Sequence, residues 1–256
     1  MRLQKRVLLA AYAPSPAGDY PDPFQDPNHE WHGFAARARI LIVNTRLDRA
    51  DYPTSIRDLA DPRWKGRVGI AKPLFGTTAT HAAVLFHQWD QETAESFFSA
   101  VKENAKVMSG NKQVALAVAR GQLDWGITDT DDAMIEKEKG MPIEIVYPDQ
   151  PTSDATADQA LGTLFIPNTL AVIKNGPNPK AAEQLIEFLL RPEIELQLAA
   201  GPSAQIPLAK SVDADDERIR VMTPQTATAM ETSWSGAAEK WDTAATFLRD
   251  EFARGD

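Results

Sequence analysis

Short apolar runs alternate with amphipathic segments along most of the chain. Five of these runs are brief, rich in β-branched residues and bounded by turn residues, a pattern that predicts β-strands. They are Arg39–Asn44, Arg67–Ala71, Trp125–Thr128, Ile143–Tyr147 and Leu170–Lys174. Between and after them, apolar residues recur at spacings of three and four, which is the helical period. Strands that alternate with helices in this way predict an α/β fold with a largely parallel sheet.

The apolar stripes define four amphipathic helices. The stripe near the C-terminus keeps one face apolar over four turns, as expected for a helix packed on a core. The stripe residues are Ala94, Phe97, Phe98 and Val101; Val114, Ala117 and Val118; Ala181, Leu185, Ile186 and Leu189; and Ala237, Trp241, Ala244, Ala245, Leu248 and Phe252.

Composition narrows the class of protein. The chain has 256 residues, of which 43% are hydrophobic, and this length suits one large domain or two small ones. Its 27 basic and 36 acidic residues give a net charge of −9, which argues against a nucleic-acid partner because phosphate binding needs clustered cations. The absence of cysteine excludes disulfides and thiolate metal sites. No apolar run approaches the ~18 residues that a membrane span requires.

The N-terminal segment allows two interpretations. Met1–Arg6 is basic, Val7–Ala13 is apolar, and Ala11-Tyr12-Ala13 has the form of a signal-peptidase site. Seven apolar residues are the minimum for a signal peptide, however, so no convincing one is predicted. The favoured alternative is a helix from Leu3 to Ala11 that ends at the following prolines.

A glycine-threonine corner is the first candidate site. Gly76, Thr77 and Thr78 lie between the strand that ends at Ala71 and a predicted helix that runs to about Trp89. Free backbone N–H groups, two hydroxyls and the positive end of a helix suit a phosphate, carboxylate or carbonate. The alternative is simple N-capping of the helix by a threonine.

Two arginines form the second candidate. Arg37 and Arg39 are two residues apart, so on a strand they lie on the same face. Two guanidinium groups there could hold an anion through paired hydrogen bonds. The alternative is a solvated edge strand whose arginines pair with some of the many acidic residues.

Three aspartates form the third candidate. Asp129, Asp131 and Asp132 follow a predicted strand and open a predicted helix. Carboxylates grouped in this way can bind a hard cation or an ammonium group. They could equally cap the helix and complement its dipole. A D-x-D-D acid motif of an enzyme is a further alternative, but it needs an all-helical, aromatic-lined cavity, whereas this chain has an α/β pattern and 8% aromatic residues.

An ordered series of motifs runs through most of the chain. The series spans roughly Leu3 to Lys210, and its order is more specific than any single motif. Its blocks are Trp31–Arg39, Leu59–Arg67, Pro73–His81, Ser109–Asn111, Val118–Gly121, Thr128–Ala133, Ile166–Thr169 and Ala181–Pro192. In this order they resemble bacterial periplasmic solute-binding proteins of the ferric-iron-binding type.

The resemblance implies a two-lobed, type II periplasmic-binding fold that closes on a ligand. Lobe two is expected at 54–162, with lobe one formed by 1–53 and 163–256 and incomplete at its N-terminus. A protein of this type is a monomer in the periplasm or at the cell surface, and it delivers its ligand to the membrane permease of an ABC importer. It is not an enzyme and needs no resident cofactor. A cytosolic regulatory ligand-binding module on the same fold is the remaining alternative.

The resemblance also implies a site with an anion and a cation half. In the family, the loop that matches Phe75–Thr78, the asparagine that matches Asn111 and an arginine at Arg37 or Arg39 hold the anion that accompanies iron. Iron-binding members place two tyrosines where this sequence has Asp131 and Asp132. The resemblance implies Fe(III) with a synergistic anion, or a related anion-linked small solute, as the ligand. Two aspartates also suit a hard cation, but with a weaker preference for Fe(III) over Ca(II) or Mg(II) than two tyrosines have. The alternative is a phosphorylated or amine-bearing solute of the phosphonate, sugar phosphate or thiamine type.

Overall fold

The computed structural model describes residues 2–151 and 160–253. Its helices are α1 Arg2–Lys5, α2 Gly76–Gln88, α3 Gln91–Asn104, α4 Asn111–Ala119, α5 Thr130–Glu138, α6 Pro179–Leu189, α7 Pro192–Ala200 and α8 Trp234–Ala253. Its strands are β1 Leu9–Ala10, β2 His32–Asn44, β3 Val68–Ala71, β4 Lys106–Met108, β5 Trp125–Asp129, β6 Ile143–Val146, β7 Phe165–Leu170 and β8 Val172–Ile173.

The main sheet has the order β4-β3-β5-β2-β6, with β7 also paired to β2. β3 runs parallel to β4 and β5, whereas β2 runs antiparallel to both of its neighbours in this order, β5 and β6. Helices connect the parallel strands, so the predicted α/β class is confirmed. The prediction of a largely parallel sheet is wrong, because β2 is antiparallel to both β5 and β6 and the sheet is mixed. β2 is the reversed strand, because residues 45–67 connect it to β3 through short 3₁₀ helices and no crossover α-helix.

Close packing of α4 on the sheet fixes one side of the candidate site. Gly69 and Gly126 are neighbours on β3 and β5, and Val114 of α4 lies directly above them. A Cβ atom on Gly126 would lie 2.5 Å from Val114 Cγ1 and 2.7 Å from the Gly69 carbonyl oxygen. Only glycine therefore allows α4 to lie this close, and the close approach brings Asn111 at its N-terminus to the end of β5.

The chain divides into two units, which comprise Met1–Arg37 with Phe165–Ala227 and Ala38–Leu164 with Thr228–Asp256. Residues 38–53 and 228–256 thus belong to the second unit, whereas the expected lobe limits assign them to lobe one. The reasons are the pairing of the second half of β2 with β5 and β6, and the packing of α8 on α2 and α3. The lobe limits expected for the family remain a prediction.

Some local predictions need correction. A helix from Leu3 to Ala11 is wrong, because α1 ends at Lys5 and Leu9–Ala10 pairs with Val172–Ile173 as β1 with β8. The apolar stripe on α6 is only partly covered, since Leu185 is 55% exposed while Ile186 is buried. The sequence pattern did not predict β4 or β7, which contain lysine, proline, asparagine or threonine among their few residues.

Candidate functional site

Three helices of the second unit begin at one edge of the sheet. α2 follows β3, while α4 and α5 lie on either side of β5 in the chain. The carboxyl ends of parallel strands share an edge, and helix N-termini placed there carry positive partial charge. Side chains from all three N-termini meet a single residue of β2, Arg39.

Arg39 is fully buried and paired with Asp129. The two residues are direct partners in the β2–β5 register, and Arg39 Nη1 donates to Asp129 Oδ1 over 2.6 Å. Nη1 also lies 3.2 Å from Asn111 Oδ1 and 3.3 Å from Thr77 Oγ1, and Nη2 lies 3.4 Å from Thr78 Oγ1. The guanidinium therefore bridges β2, α2, α4 and β5 from the interior.

The second carboxylate oxygen of Asp129 is also engaged. Oδ2 accepts hydrogen bonds from Thr77 Oγ1 at 2.6 Å and from Asn111 Nδ2 at 2.8 Å. Asn111 Nδ2 further donates to Thr77 Oγ1 at 2.8 Å, and Thr78 Oγ1 donates to Asn111 Oδ1 at 3.1 Å. Four of the predicted site residues thus join Arg39 in one closed network.

The acidic cluster extends this network toward the first turn of α5. One carboxylate oxygen from each of Asp129, Asp131 and Asp132 lies within 4.8 Å of the other two. Asp131 and Asp132 are half-buried, and Asp131 Oδ1 accepts from the Asp132 backbone N–H at 3.1 Å. Since Arg39 balances Asp129, the three carboxylates and one guanidinium together carry a net charge of −2. Such oxygen-rich clusters suit hard cations.

The start of α2 offers backbone donors. Phe75 occupies the N-cap position, and no side chain of the described residues caps the helix. The threonine-capping interpretation is therefore wrong, because the hydroxyls of Thr77 and Thr78 point into the Arg39 network instead. Gly76 adopts a φ of 58°, a conformation that favours glycine. The N–H groups of the first turn keep donor capacity for an anion.

The two arginines on β2 contact different groups. Arg37 is half-buried, and its Nη2 donates to Asn168 Oδ1 at 2.9 Å within the first unit. Asn168 in turn donates to Gln205 Oε1 at 3.1 Å. Arg37 and Arg39 thus each donate to protein side chains in separate networks, although they lie two residues apart.

Reasoning from the sequence missed one buried residue near the site. His81 of α2 is 5% exposed, and it lines a cavity of about 10 Å³ together with Arg39 and Thr78. Burial lowers the pKa of His81 well below its usual value, and the positive charge of Arg39 lowers it further. The sequence contains one signal for this residue, which is a histidine five positions after Gly76 in the same predicted helix.

Comparisons with known proteins show which family this chain belongs to. The sequence profile of the bacterial extracellular solute-binding protein family matches residues 1–226. Iron uptake protein A1 of Synechocystis is 26% identical over 207 residues, which cover 75% of this chain and 55% of that protein. The Fe(3+)-binding periplasmic protein of Serratia marcescens is 33% identical over 108 residues, which cover 41% of this chain and 32% of that protein.

The fold is also shared with solved structures. Iron-bound HitA from Pseudomonas aeruginosa superposes with a TM-score of 0.83 at 26% identity, covering 98% of this chain and 78% of that one.

The chain spans about half or less of the length of the two curated relatives. Within residues 2–151 and 160–253, no helix combines the length and apolar character needed to cross a membrane. The α/β fold and the resemblance predicted from the sequence are confirmed, and the chain belongs to the bacterial extracellular solute-binding protein family.

Proposed function

We propose that this chain is the ligand-binding component of an ABC importer and captures ferric iron together with an anion. It acts as a monomer in the periplasm or at the cell surface, passes the ligand to a membrane permease and catalyses no reaction. Family membership and the iron-related names of two relatives support this proposal. The observation that favours it most is the acidic cluster, with three carboxylates within 4.8 Å at the start of α5.

The cation half of the site consists of Asp131 and Asp132. Both oxygens of Asp129 already accept hydrogen bonds from Arg39, Thr77 and Asn111, so its role is to fix the start of α5. Asp131 and Asp132 are adjacent and half-buried, and each contributes a carboxylate oxygen to the cluster. Carboxylate oxygen is a suitable ligand for hard cations such as Fe(III).

Charge balance explains why an anion should accompany the iron. The cluster and Arg39 carry a net charge of −2, so a bound Fe(III) leaves one uncompensated positive charge. The uncapped N-terminus of α2 lies in the same network through Thr77 and supplies N–H donors for an anion. Arg39 orients its neighbours rather than binding the anion, because its own Nη1 and Nη2 groups already donate to Asp129 and Thr78.

A phosphorylated or amine-bearing solute is the second candidate ligand. The uncapped α2 N-terminus favours it, since a helix start without a side-chain cap is a ready phosphate site. Asp131 and Asp132 would then hold an ammonium group of the same ligand. This candidate requires no metal, so a panel of ligands separates it from the first.

Thermal unfolding against such a panel tests the proposal. The panel contains Fe(III) citrate with and without carbonate, Ca(II), aminoethylphosphonate, thiamine and a hexose phosphate. A ligand at ~100 times its Kd stabilises the folded state by about 2.7 kcal/mol, and we expect this shift with iron when an anion is present. The Asp131→Asn/Asp132→Asn variant should lose the shift.

Asp90→Asn is the matched control, because Asp90 is an exposed acidic N-cap of α3. This variant should keep the shift with iron. A shift with the phosphorylated compounds alone would contradict the iron proposal and support the second candidate.

A further inference from the structure

Two buried polar atoms beneath the site have no protein partner among the residues that the structure describes. They are Nε of Arg39 and Nε2 of His81. The Arg39 side chain is 0% exposed and His81 is 5% exposed, so bulk water does not satisfy either atom. Buried polar atoms in folded proteins almost always have a hydrogen-bond partner, which makes two neighbouring exceptions informative.

Both residues line the same small cavity. Its volume is about 10 Å³, and Thr78 is the third polar residue in its wall. The remaining wall is apolar and comes from α2, α3, β3, β5 and a 3₁₀ helix, with Ile70, Leu85, Phe98 and Ile127 among its residues. A space of this size admits about one water molecule and excludes an organic ligand or a hydrated ion.

The chemistry of the polar atoms matches one water. Arg39 Nε–H can only donate, so the oxygen of the occupant must accept from it. The two hydrogens of a water can then be given to His81 Nε2 and to Thr78 Oγ1, which are acceptors in the neutral imidazole and in the hydroxyl. Three partners are typical of a buried water in a folded protein.

We infer that this cavity is a site for one ordered water that bridges Arg39 to His81, and that His81 is a positioning residue for Arg39. The water holds the guanidinium at Nε while Asp129 holds it at Nη1, so the guanidinium has one fixed orientation. That orientation places Thr77, Thr78 and Asn111 in the network described above. The expected effect on ligand affinity depends on the proposed function, whereas the water site itself does not.

The bridge requires neutral His81 with its proton on Nδ1. Burial and Arg39, the charged residue that lines the same cavity, both lower the pKa of His81, which favours the neutral form. The other wall residues named above carry no titratable group. A protonated imidazole would place a second donor and a second positive charge against Arg39.

A crystal structure and ¹⁵N NMR of the unaltered protein test the water site directly. We expect a water about 3 Å from both Arg39 Nε and His81 Nε2. The imidazole ¹⁵N shifts should show a protonated Nδ1 and an unprotonated, hydrogen-bonded Nε2. An empty cavity, or an imidazole with its proton on Nε2, would overturn the inference whether or not the protein binds iron.

Variants at position 81 test the positioning role. In His81→Gln an amide oxygen can still accept from the water, so the slowly exchanging Arg39 Nε–H signal and the affinity for Fe(III) citrate should persist. In His81→Leu that signal should disappear and the affinity should fall about tenfold, as is typical when a group that orients metal ligands is removed. His87→Leu is the matched control, because His87 is an exposed histidine of the same helix outside the cavity wall, and this variant should change neither readout.

Retention of both the signal and the affinity in His81→Leu would overturn the positioning role. Failure of the unaltered protein to bind Fe(III) citrate would instead refute the proposed function. The NMR and crystallographic readouts would then still decide whether the water is present.

Discussion

Arg39 Nη1 lies 2.6 Å from Asp129 Oδ1, and the two residues face each other across β2 and β5. Their side chains are 0% and 5% exposed, so this is an internal ion pair rather than a surface contact. It joins the strand that carries Arg39 to the start of the helix that carries Asp131 and Asp132. Arg39, one of the two arginines that the family resemblance assigned to the anion, is thus already neutralised within the protein.

Removing one partner of this pair should be strongly destabilising. Asp129→Asn leaves the Arg39 charge buried without its counter-charge, and such changes cost about 3–5 kcal/mol. Urea unfolding followed by circular dichroism measures the loss. Asp131→Asn is the control and should change the unfolding free energy by much less, because Asp131 is half-buried at the same helix start.

A double variant separates the ion pair from the packing around it. Replacing both residues, as Arg39→Met/Asp129→Asn, removes the uncompensated charge, so part of the stability lost in Asp129→Asn should return. The same unfolding experiment gives the coupling free energy. Strictly additive losses would contradict a direct interaction between the two side chains.

Glu195 should be essential to the first unit. Its Oε1 accepts from the Ala35 N–H at 2.7 Å, and its Oε2 accepts from the N–H groups of Leu208 and Ala209 at 2.9 and 2.8 Å. Ala35 has a φ of 44°, so this bond also holds an unfavourable backbone conformation. Glu195→Gln turns one acceptor into a donor that faces backbone N–H groups, and we expect a loss of about 1–3 kcal/mol.

The exposed Glu193 of the same helix offers the matched control for this change. Glu193→Gln should leave the unfolding free energy nearly unchanged. Equal effects of the two substitutions would show that the three backbone contacts of Glu195 contribute little.

His81 should make stability depend on pH in a defined direction. The pKa of His81 is lowered well below its usual value by burial first and by Arg39 second. Below about pH 6.5 the unfolded chain therefore takes up a proton that the folded protein does not, and the folded state loses up to about 1.4 kcal/mol per pH unit. Stability should be fully retained above this range and should decline as the pH falls through it.

The His81→Gln variant isolates this contribution. The unfolding free energy of the unaltered protein should fall faster between pH 7.5 and 5.5 than that of the variant. Burial also lowers the pKa of His32, so a similar slope from that residue should remain in both proteins. Parallel curves for the two proteins would contradict a neutral, buried His81.

The sequence predicts the fold class well because the signals for it are local. β-branched runs and stripes with helical spacing predict β3, β5, β6, α3, α4 and α8 with small errors at the ends. β4 is an edge strand of only three residues, and β7 contains proline. Neither strand therefore shows a clear alternation of apolar and polar residues. The limits of the units depend on the packing of α8 against α2 and α3, and the periodicity of α8 does not specify these partners.

The candidate site was only partly predictable for a similar reason. Gly76, Thr77, Thr78 and the aspartates follow predicted strands, so their approach at one sheet edge is expected from strand–helix order. Asn111 follows β4, a strand that the sequence pattern did not predict. The pairing of Arg39 with Asp129 depends on the register of two strands 90 residues apart, which no local pattern specifies. His81 was missed because its importance arises from the cavity it shares with Arg39.

The affinity for Fe(III), measured by competition with citrate in the presence of carbonate, tests the central claim most directly. The unaltered protein and Asp90→Asn should withdraw iron from citrate with equal affinity. The Asp131→Asn/Asp132→Asn variant should remain folded and fail to do so, because the two half-buried carboxylates supply the cation half of the site. Unchanged iron affinity in that variant would contradict the account and leave these aspartates with a role at the helix start alone.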